Sequence, residues 1–173
     1  EPVARQSPHT ETTATARLFR ILDPWQGERS VVVHVPSTYK ADESLPLIIG
    51  LHAFTFSARI LEDWLEFLPL VESKRFFYVT PNGTRDVIGA RFWNATDACC
   101  GIGAAVDDES YLESLVNGIS RKLSLDRRRI YIVGYSNGGF MGYRMACRHA
   151  DLIAGIASIA GATYNNPAHC VPS

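Results

Sequence analysis

The chain has 173 residues, of which 46% are hydrophobic and 20% charged, a composition typical of one globular domain and too short for two ordinary ones. A formal net charge of −1 gives no electrostatic signature of nucleic-acid or anionic-membrane binding, so we expect neither kind of partner. No apolar run approaches the roughly 20 residues that a membrane-spanning helix requires.

The N-terminal third predicts a leader followed by a hairpin. Residues 1–16 are polar, rich in threonine and without periodicity, which indicates a disordered leader or an interdomain linker. Two apolar segments then read as strands, at 17–22 and 29–35, joined by a turn at 23–27. We therefore expect an antiparallel hairpin at the start of a domain that spans residues 17–173.

Strands and helices alternate after residue 45. The continuous apolar run at 46–51 is typical of a parallel strand buried on both faces. Ser57 is predicted to cap a helix that runs to about Ser73. The helix is expected to place its regularly spaced apolar residues in the core, namely Leu61, Trp64, Leu65 and Leu68.

The second half of the chain continues this alternation. A strand at 76–80, a helix from 107 to 123, a strand at 130–133, a helix at 140–149 and a buried strand at 153–160 are predicted. The segment 84–106 lacks periodicity and is the longest irregular stretch, which in a compact domain is normally functional or anchored. The pattern predicts an α/β fold with a doubly wound, mostly parallel sheet behind the N-terminal hairpin.

The stretch Gly134-Tyr135-Ser136-Asn137-Gly138 joins the strand at 130–133 to the helix that follows. A G-x-S-x-G sequence between a strand and a helix is the pattern of a nucleophile elbow, which exposes the central serine at the helix N-terminus. The alternative is a tight strand-to-helix turn in which the two glycines serve packing alone. Because chemistry gathers at the carboxyl ends of parallel strands, Ser136 is expected to share a cleft with the loops at 52–54 and 81–100.

Four cysteines are present, Cys99, Cys100, Cys147 and Cys170. They allow two disulfides in three connectivities, and buried free thiols are the alternative. Their spacing matches no zinc pattern, and neither a metal nor an organic cofactor is expected. We predict that Cys99 and Cys100 bond one each to Cys147 and Cys170, since adjacent cysteines usually have different partners and the irregular segment needs anchoring.

These segments together resemble the secreted α/β-hydrolase esterases that include feruloyl esterases, acetylxylan esterases and poly(3-hydroxybutyrate) depolymerases. The resemblance runs from about Arg17 to Cys170. Its motifs are P-L-I-I-G-L-H-A-F, Y-V-T-P-N-G, F-W-N-A-T-D-A-C-C-G, V-D-D-E-S-Y and R-R-I-Y-I-V-G-Y-S-N-G-G-F-M. The W-N-A-T-D-A-C-C-G motif favours the feruloyl and acetylxylan esterases.

The resemblance implies roles for several residues. Ser136 would be the acyl-forming nucleophile, and the backbone N–H groups of Asn137 and Phe54 would form the oxyanion hole. His52 and Trp93 are candidate substrate-binding residues, with loop orientation as the alternative for His52 and a core position, shared with Phe92, as the alternative for Trp93. One departure is Ala53, which stands where many relatives have glycine and restricts the loop's backbone.

A second departure concerns the catalytic triad, because the family places an aspartate and then a histidine after further strands. His149 and Asp151 follow Ser136 at the far end of the next helix, roughly 20 Å away at 1.5 Å per residue, and His169 lies in the terminal loop. We therefore expect this chain to be an incomplete N-terminal portion whose last strands, triad Asp and His lie in a C-terminal remainder. Alone, it is expected to be nearly inactive.

The resulting functional hypothesis is a secreted serine esterase that cleaves feruloyl-type or acetyl-type esters of plant polysaccharide through an acyl-enzyme. The alternative within enzymes is depolymerisation of an aliphatic polyester such as polyhydroxybutyrate. The alternative from another class is a non-catalytic module that binds polysaccharide or a partner protein on the same fold. An Asp and a His downstream in the parent gene would favour the enzyme.

Overall fold

The computed structural model describes residues 29–100 and 106–172, together with the backbone of residues 17–21. The strands are β1 (Arg17–Ile21), β2 (Val31–Val35), β3 (Leu45–Leu51), β4 (Phe77–Val79), β5 (Thr84–Arg85), β6 (Arg91–Phe92), β7 (Leu125–Tyr135) and β8 (Gly155–Ile159). The α-helices are α1 (Ala58–Leu65), α2 (Leu68–Lys74), α3 (Asp108–Ser120) and α4 (Asn137–Arg148). The leader predicted at 1–16 and the turn predicted at 23–27 lie outside the described residues.

Six of the strands form one sheet in the order β1-β2-β4-β3-β7-β8. The β1–β2 and β2–β4 pairs are antiparallel, while β3–β4, β3–β7 and β7–β8 are parallel. The predicted fold, a mostly parallel sheet behind an antiparallel hairpin, is thus confirmed. Leu51 at the end of β3 pairs with Gly134 in β7, so the loop after β3 begins beside the G-x-S-x-G turn.

The helix predicted from 57 to 73 is instead two helices. Ser57 caps α1 as predicted, because its side chain accepts a hydrogen bond from the Ile60 N–H. The chain then turns at Glu66, which adopts the left-handed conformation with φ 52°, and Pro69 lies in the first turn of α2. The break interrupts the helical spacing on which the predicted core positions depended.

Of the four residues predicted to be core on that helix, only Leu61 is buried. Leu65 is partly buried, Leu68 is exposed, and Trp64 is 52% exposed. The Trp64 ring stacks on the ring of Tyr135, with centroids 4.8 Å apart, instead of entering the core. Helical spacing alone therefore gave the wrong burial for three of these side chains.

Strand β8 is shorter and more exposed than the predicted buried strand at 153–160. It lies at the edge of the described sheet, where it pairs with β7 on one side. None of its five residues is buried. The apolar run predicted the strand correctly but not its burial, because burial depends on what covers the outer edge and the faces of the sheet.

The segment predicted to be irregular, 84–106, contains a two-stranded hairpin. Strands β5 and β6 pair antiparallel, Thr84 with Phe92 and Arg85 with Arg91. Phe92 and the following Trp93 are buried, which anchors the hairpin to the domain. Residues 101–105 of this segment lie outside the described part of the chain. No helix within the described ranges is long and apolar enough to cross a membrane.

A buried ion pair joins the N-terminal hairpin to α3. The Asp108 side chain is fully buried, and its Oδ1 lies 2.6 Å from the Arg29 guanidinium. Its Oδ2 accepts a hydrogen bond from the Asn94 N–H at 2.8 Å. The Arg29 guanidinium also lies 3.5 Å from the centroid of the Tyr111 ring. A single carboxylate thus links three distant parts of the chain.

We predict that Asp108→Ala lowers the free energy of unfolding by about 3–5 kcal/mol, because it leaves a buried guanidinium without its counter-charge. The matched control is Asp63→Ala, which removes a carboxylate from the Arg59–Asp63 pair, whose side chains are 87% and 69% exposed. The control should change stability by less than about 0.5 kcal/mol. Urea titration followed by circular dichroism measures both, and equal losses in the two variants would contradict the assignment.

Candidate active site

Ser136 lies at the junction between β7 and α4 in a strained backbone conformation. Its φ and ψ are 50° and −117°, a region that residues with a Cβ rarely adopt. Its N–H donates to the Ile159 carbonyl at 2.8 Å, and its own carbonyl accepts the Phe140 N–H, which begins α4. The hydroxyl makes no capping hydrogen bond and the residue is only partly buried. The side chain is therefore left available for chemistry at the helix N-terminus.

The glycines on either side of Ser136 are required by close backbone approach. A Cβ at Gly134 would lie 2.2 Å from the Gly138 carbonyl oxygen. A Cβ at Gly138 would lie 2.0 Å from the Leu51 carbonyl oxygen. Neither distance is possible for a real side chain, so this turn can form only with glycine at both positions.

Asn137, the first residue of α4, is fully buried and is held through its side chain. Its Oδ1 accepts the Trp93 N–H at 2.7 Å, and its Nδ2 donates to the Trp93 carbonyl at 3.0 Å. The backbone N–H groups of a first helical turn have no acceptor inside the helix. The Asn137 N–H is thus held beside Ser136 and stays a candidate oxyanion donor.

The loop after β3 supplies a second candidate donor. Within it, the Thr55 N–H donates to the Arg91 carbonyl and the Phe56 N–H to the Ala53 carbonyl. No hydrogen bond between described residues uses the Phe54 N–H. The residue of this loop with a positive φ is Thr55, at 68°, and not Ala53. The methyl group of Ala53 therefore imposes no backbone strain, and the turn is made two residues later.

His52 orients this loop from a buried position, and its side chain has no exposed surface with which to bind substrate. Its Nδ1 lies 2.8 Å from the Ala53 carbonyl, and its Nε2 accepts the Gly83 N–H at 2.8 Å. Burial lowers the pKa of His52 to about 4. The hydrogen bond to the Ala53 carbonyl raises this pKa, whereas the charges of Arg91 and Arg29 lower it further. The imidazole is neutral, and the structure supports the loop-orienting alternative over the substrate-binding assignment.

Trp93 also occupies the core and not a substrate surface. The side chain is fully buried, and its Nε1–H donates to the His52 carbonyl at 3.1 Å. The adjacent Phe92 is buried as well. The substrate-platform interpretation of Trp93 is therefore corrected to the core alternative, because a ring with no exposed surface cannot contact a ligand in the cleft.

The described histidines have partners other than Ser136. The pairs are His34 with Glu62, His52 with Gly83, His149 with Glu109, and His169 with Asp97. No hydrogen bond in the described ranges joins the Ser136 hydroxyl to any of them. Among the described residues, the site therefore contains a candidate nucleophile and two candidate oxyanion donors, but no histidine that contacts the Ser136 hydroxyl.

The predicted disulfide connectivity is wrong, although all four cysteines are bonded. Cys99 bonds to its neighbour Cys100, and Cys147 bonds to Cys170, whose Cα atoms are 4.9 Å apart. The rule that adjacent cysteines have different partners fails here, and Cys170 bonds instead to Cys147 of α4. The irregular segment is anchored near the site by hydrogen bonds, including the contact of 3.6 Å between the Asn137 amide and the Cys99 sulfur.

Two features near Ser136 were missed by the sequence analysis. One is the side-chain amide of Asn137, for which only the backbone N–H was considered. The other is a group of partly exposed aromatic rings in which Tyr135 contacts Phe56 and Trp64, with ring centroids 6.0 Å and 4.8 Å apart. A polar residue directly after the G-x-S motif was a signal for the first, whereas nothing in the periodicity indicated the second.

We predict that Gly138→Ala destabilises the protein by about 3 kcal/mol or more, because the added methyl overlaps the Leu51 carbonyl at the end of β3. Gly155→Ala is the matched control, since its Cβ would meet only the Tyr131 ring at an ordinary 3.6 Å. The control should remain within about 0.5 kcal/mol of the parent. Chemical denaturation of the variants measures both, and a Gly138→Ala protein of parental stability would show that the backbones can separate.

A second prediction concerns pH. The pKa of His52 is about 4 in the folded protein and about 6.5 in the unfolded chain, so the unfolded chain binds the extra proton between these values. Stability contributed by His52 is complete above pH 6.5 and falls by about 3 kcal/mol as the pH drops to 4.

His52→Gln tests this, because it keeps an acceptor for the Gly83 N–H and removes the titration. The variant is expected to have a lower stability at neutral pH and a pH dependence about 3 kcal/mol smaller between pH 6.5 and 4. Unfolding free energies measured across that range give the difference. An unchanged pH dependence in the variant would exclude His52 as its source.

Comparison with known proteins gives the following relatives. No family model matches the chain. Feruloyl esterase B from Piromyces equi is 29% identical over 129 residues, which cover 75% of this chain and 23% of that protein. Poly(3-hydroxyalkanoate) depolymerase C from Paucimonas lemoignei is 30% identical over 143 residues, which cover 80% of this chain and 32% of that protein.

Solved structures agree on the fold. The acetyl xylan esterase from Aspergillus awamori superposes with a TM-score of 0.59 at 16% sequence identity, covering 82% of this chain and 53% of that one. This chain therefore spans less than a third of the length of these two curated relatives and about half of the solved structure. The resemblance predicted from the motifs is confirmed: the chain carries the α/β-hydrolase fold and is similar in sequence to feruloyl esterases, an acetylxylan esterase and a poly(3-hydroxyalkanoate) depolymerase.

Proposed function

We propose that this protein acts as a serine carboxylic-ester hydrolase through Ser136. The observation that carries the proposal is the strained conformation of Ser136, with φ 50°, between two glycines that no other residue can replace. Such strain persists only where surrounding structure enforces it, and it is concentrated at functional sites. Ser136 Oγ attacks the ester carbonyl as a base takes its proton, the base passes that proton to the departing alcohol, and water then hydrolyses the acyl-serine to release the acid and restore the hydroxyl.

The oxyanion of the tetrahedral intermediate is stabilised by the backbone N–H groups of Asn137 and Phe54. Asn137 supports this role because its side chain is fixed by two hydrogen bonds to Trp93, so its N–H is oriented before substrate binds. A preorganised donor of this kind contributes about 2.7–4 kcal/mol of transition-state stabilisation. The first turn of α4 adds the favourable end of the helix dipole.

The proposed substrates are feruloyl-type or acetyl-type esters linked to plant polysaccharide. Support comes from the relatives, which include feruloyl esterases and a bifunctional acetylxylan esterase/xylanase. Secretion is proposed with this substrate class, since such polymers are extracellular. The two disulfides support it, because disulfides persist mainly in oxidising compartments.

The proton acceptor and its carboxylate partner are proposed to come from a C-terminal remainder of the same protein. In this proposal, residues 17–173 are the N-terminal portion of an α/β-hydrolase domain. The engagement of His34, His52, His149 and His169 with other partners supports it. The partly exposed β8 edge supports it as well, since natural domains normally cover such edges.

A second candidate function is hydrolysis of an aliphatic polyester. The observation that favours it is a pair of highly exposed apolar side chains, Val87 and Ile88, on the hairpin that packs against the loop after β3. The poly(3-hydroxyalkanoate) depolymerase among the relatives is consistent with this candidate. A non-catalytic binding module on the same fold remains the alternative from another class, and it would show no Ser136-dependent turnover.

We predict that Ser136→Ala in the completed protein abolishes ester hydrolysis without unfolding it, while the 173-residue chain alone has little activity. Loss of the proton acceptor typically leaves only about 10³–10⁴-fold catalysis over water. The assay compares a chromogenic short-chain ester, a feruloyl ester and a polyester film for the chain, the completed protein and the variant.

Preferential hydrolysis of the feruloyl ester would support the first candidate, and film erosion the second. Glu113→Ala, a change at an exposed position of α3, serves as the matched control and should leave turnover unchanged. Turnover by Ser136→Ala at the parental rate would show that Ser136 is not the nucleophile. Full activity of the 173-residue chain alone would show that the proton acceptor lies within this chain.

A further inference from the structure

The tip of the β5–β6 hairpin presents two adjacent apolar side chains to solvent. Val87 is 100% exposed and Ile88 is 83% exposed. The next most exposed large apolar residue in the described ranges, Val171, is 64% exposed. Single exposed apolar residues are common and need no explanation, but two neighbouring aliphatic side chains at the end of a projecting hairpin are unusual.

The tip is ordered by its own hydrogen bonds. The Asp86 carboxylate accepts the N–H groups of Ile88 and Ala90, at 3.0 and 2.8 Å. The Asp86 N–H donates to the Ala90 carbonyl, and the Gly89 N–H to the Asp86 carbonyl. Arg85 donates to the Gly89 carbonyl at 2.7 Å, and Gly89 takes the positive φ of 84° that the turn requires. The apolar pair is thus displayed by a preformed turn, and little conformational entropy is lost when it binds.

The hairpin is fastened to the loop that carries the candidate oxyanion donor. The Arg91 carbonyl accepts the Thr55 N–H at 2.8 Å, and the Arg91 side chain donates to the Gly83 carbonyl at 3.0 Å. The Gly83 N–H in turn donates to His52 at 2.8 Å. The tip therefore projects from the part of the molecule that borders the candidate active site.

We propose that the Val87–Ile88 tip is an adsorption site for the apolar surface of a water-insoluble aliphatic polyester. The choice of this surface rests on the proposed ester-hydrolase function, and in particular on its polyester candidate. The tip inserts its two side chains into the polymer surface and holds the neighbouring catalytic cleft against it. Adsorption involves no covalent step and no other component.

The small size of the tip argues against a folded protein as its partner. A stable protein interface buries about 800 Å² on each side, far more than two aliphatic side chains provide. An anionic membrane is disfavoured by the net charge of −1 and by the longest basic run, the three arginines at 127–129, which is shorter than the roughly 4–8 basic residues that bind anionic lipid. An uncharged polyester surface requires only apolar contact, which is what valine and isoleucine supply, and a polyester is the substrate that one relative's name states.

The test is adsorption of the completed protein and of the 173-residue chain to poly(3-hydroxybutyrate) granules, measured as depletion from solution at low and high salt. The double variant Val87→Ser/Ile88→Ser is expected to adsorb roughly 10–100-fold more weakly, since two partly buried aliphatic side chains account for about that factor. Adsorption of the parent is expected to be insensitive to salt, because the contact is apolar. Thermal unfolding of the double variant should match the parent, since neither side chain packs in the fold.

Val171→Ser is the matched control, an exposed aliphatic residue beside the Cys147–Cys170 bond, and it should leave adsorption unchanged. Equal adsorption by parent and double variant would overturn the proposal. Equally tight, tip-dependent binding to neutral phosphatidylcholine vesicles would replace the polyester with a lipid surface, and tip-dependent dimerisation would replace it with a second copy. Ser136→Ala should adsorb like the parent, so a failure of the proposed hydrolase activity remains separate from a failure of adsorption.

Discussion

The candidate site depends on the close approach of two backbones, the start of α4 and the end of β3. At Gly138 the gap is so small that a Cβ would lie 2.0 Å from the Leu51 carbonyl oxygen. This contact brings the serine of the turn and the N–H that follows it to the loop after β3. Because the approach is made by main-chain atoms, it requires glycine at position 138.

Hydrogen bonds between buried groups extend that contact to the remaining loops. The Asn137 side-chain amide hydrogen-bonds to both the backbone N–H and the carbonyl of Trp93. The Trp93 indole donates to the His52 carbonyl, and the His52 imidazole accepts the Gly83 N–H. Each link is buried, so breaking one leaves a polar group without water or partner, at a cost of about 1–3 kcal/mol. The loops that follow β3, β4 and β7 therefore behave as one unit.

The sequence correctly predicted those structural features that depend on a few neighbouring residues. The apolar run of β3, the cap at Ser57 and the turn around Ser136 follow from neighbouring residues, and the structure contains all three. The break between α1 and α2 was not predictable from spacing, because it depends on one residue, Glu66, adopting a left-handed conformation. Apolar residues continue across the break, although Pro69 in the first turn of α2 was a signal for it in the sequence.

Tertiary contacts decided the features that the sequence did not predict. Cys170 reaches Cys147 because the chain after β8 returns to α4, a path that spacing does not encode. Trp93 is buried because its indole N–H finds a partner in the His52 carbonyl, whereas an aromatic residue beside a presumed cleft is equally compatible with substrate binding. Composition distinguishes neither case.

The same division separates the two halves of the proposed catalytic machinery. The nucleophile and the oxyanion donors belong to turns of a few residues each, so their geometry is set wherever β3, β7 and α4 pack together. A proton acceptor is non-local, since it must come from another part of the chain and meet the serine in space. His52, the histidine of the loop beside Ser136, is not available for this without cost. If His52 turned towards Ser136, the buried Gly83 N–H would lose its acceptor, at about 1–3 kcal/mol. The burial that fixes the loop also keeps the imidazole neutral and withdrawn, so the residue that orients the oxyanion loop cannot serve as the base as well.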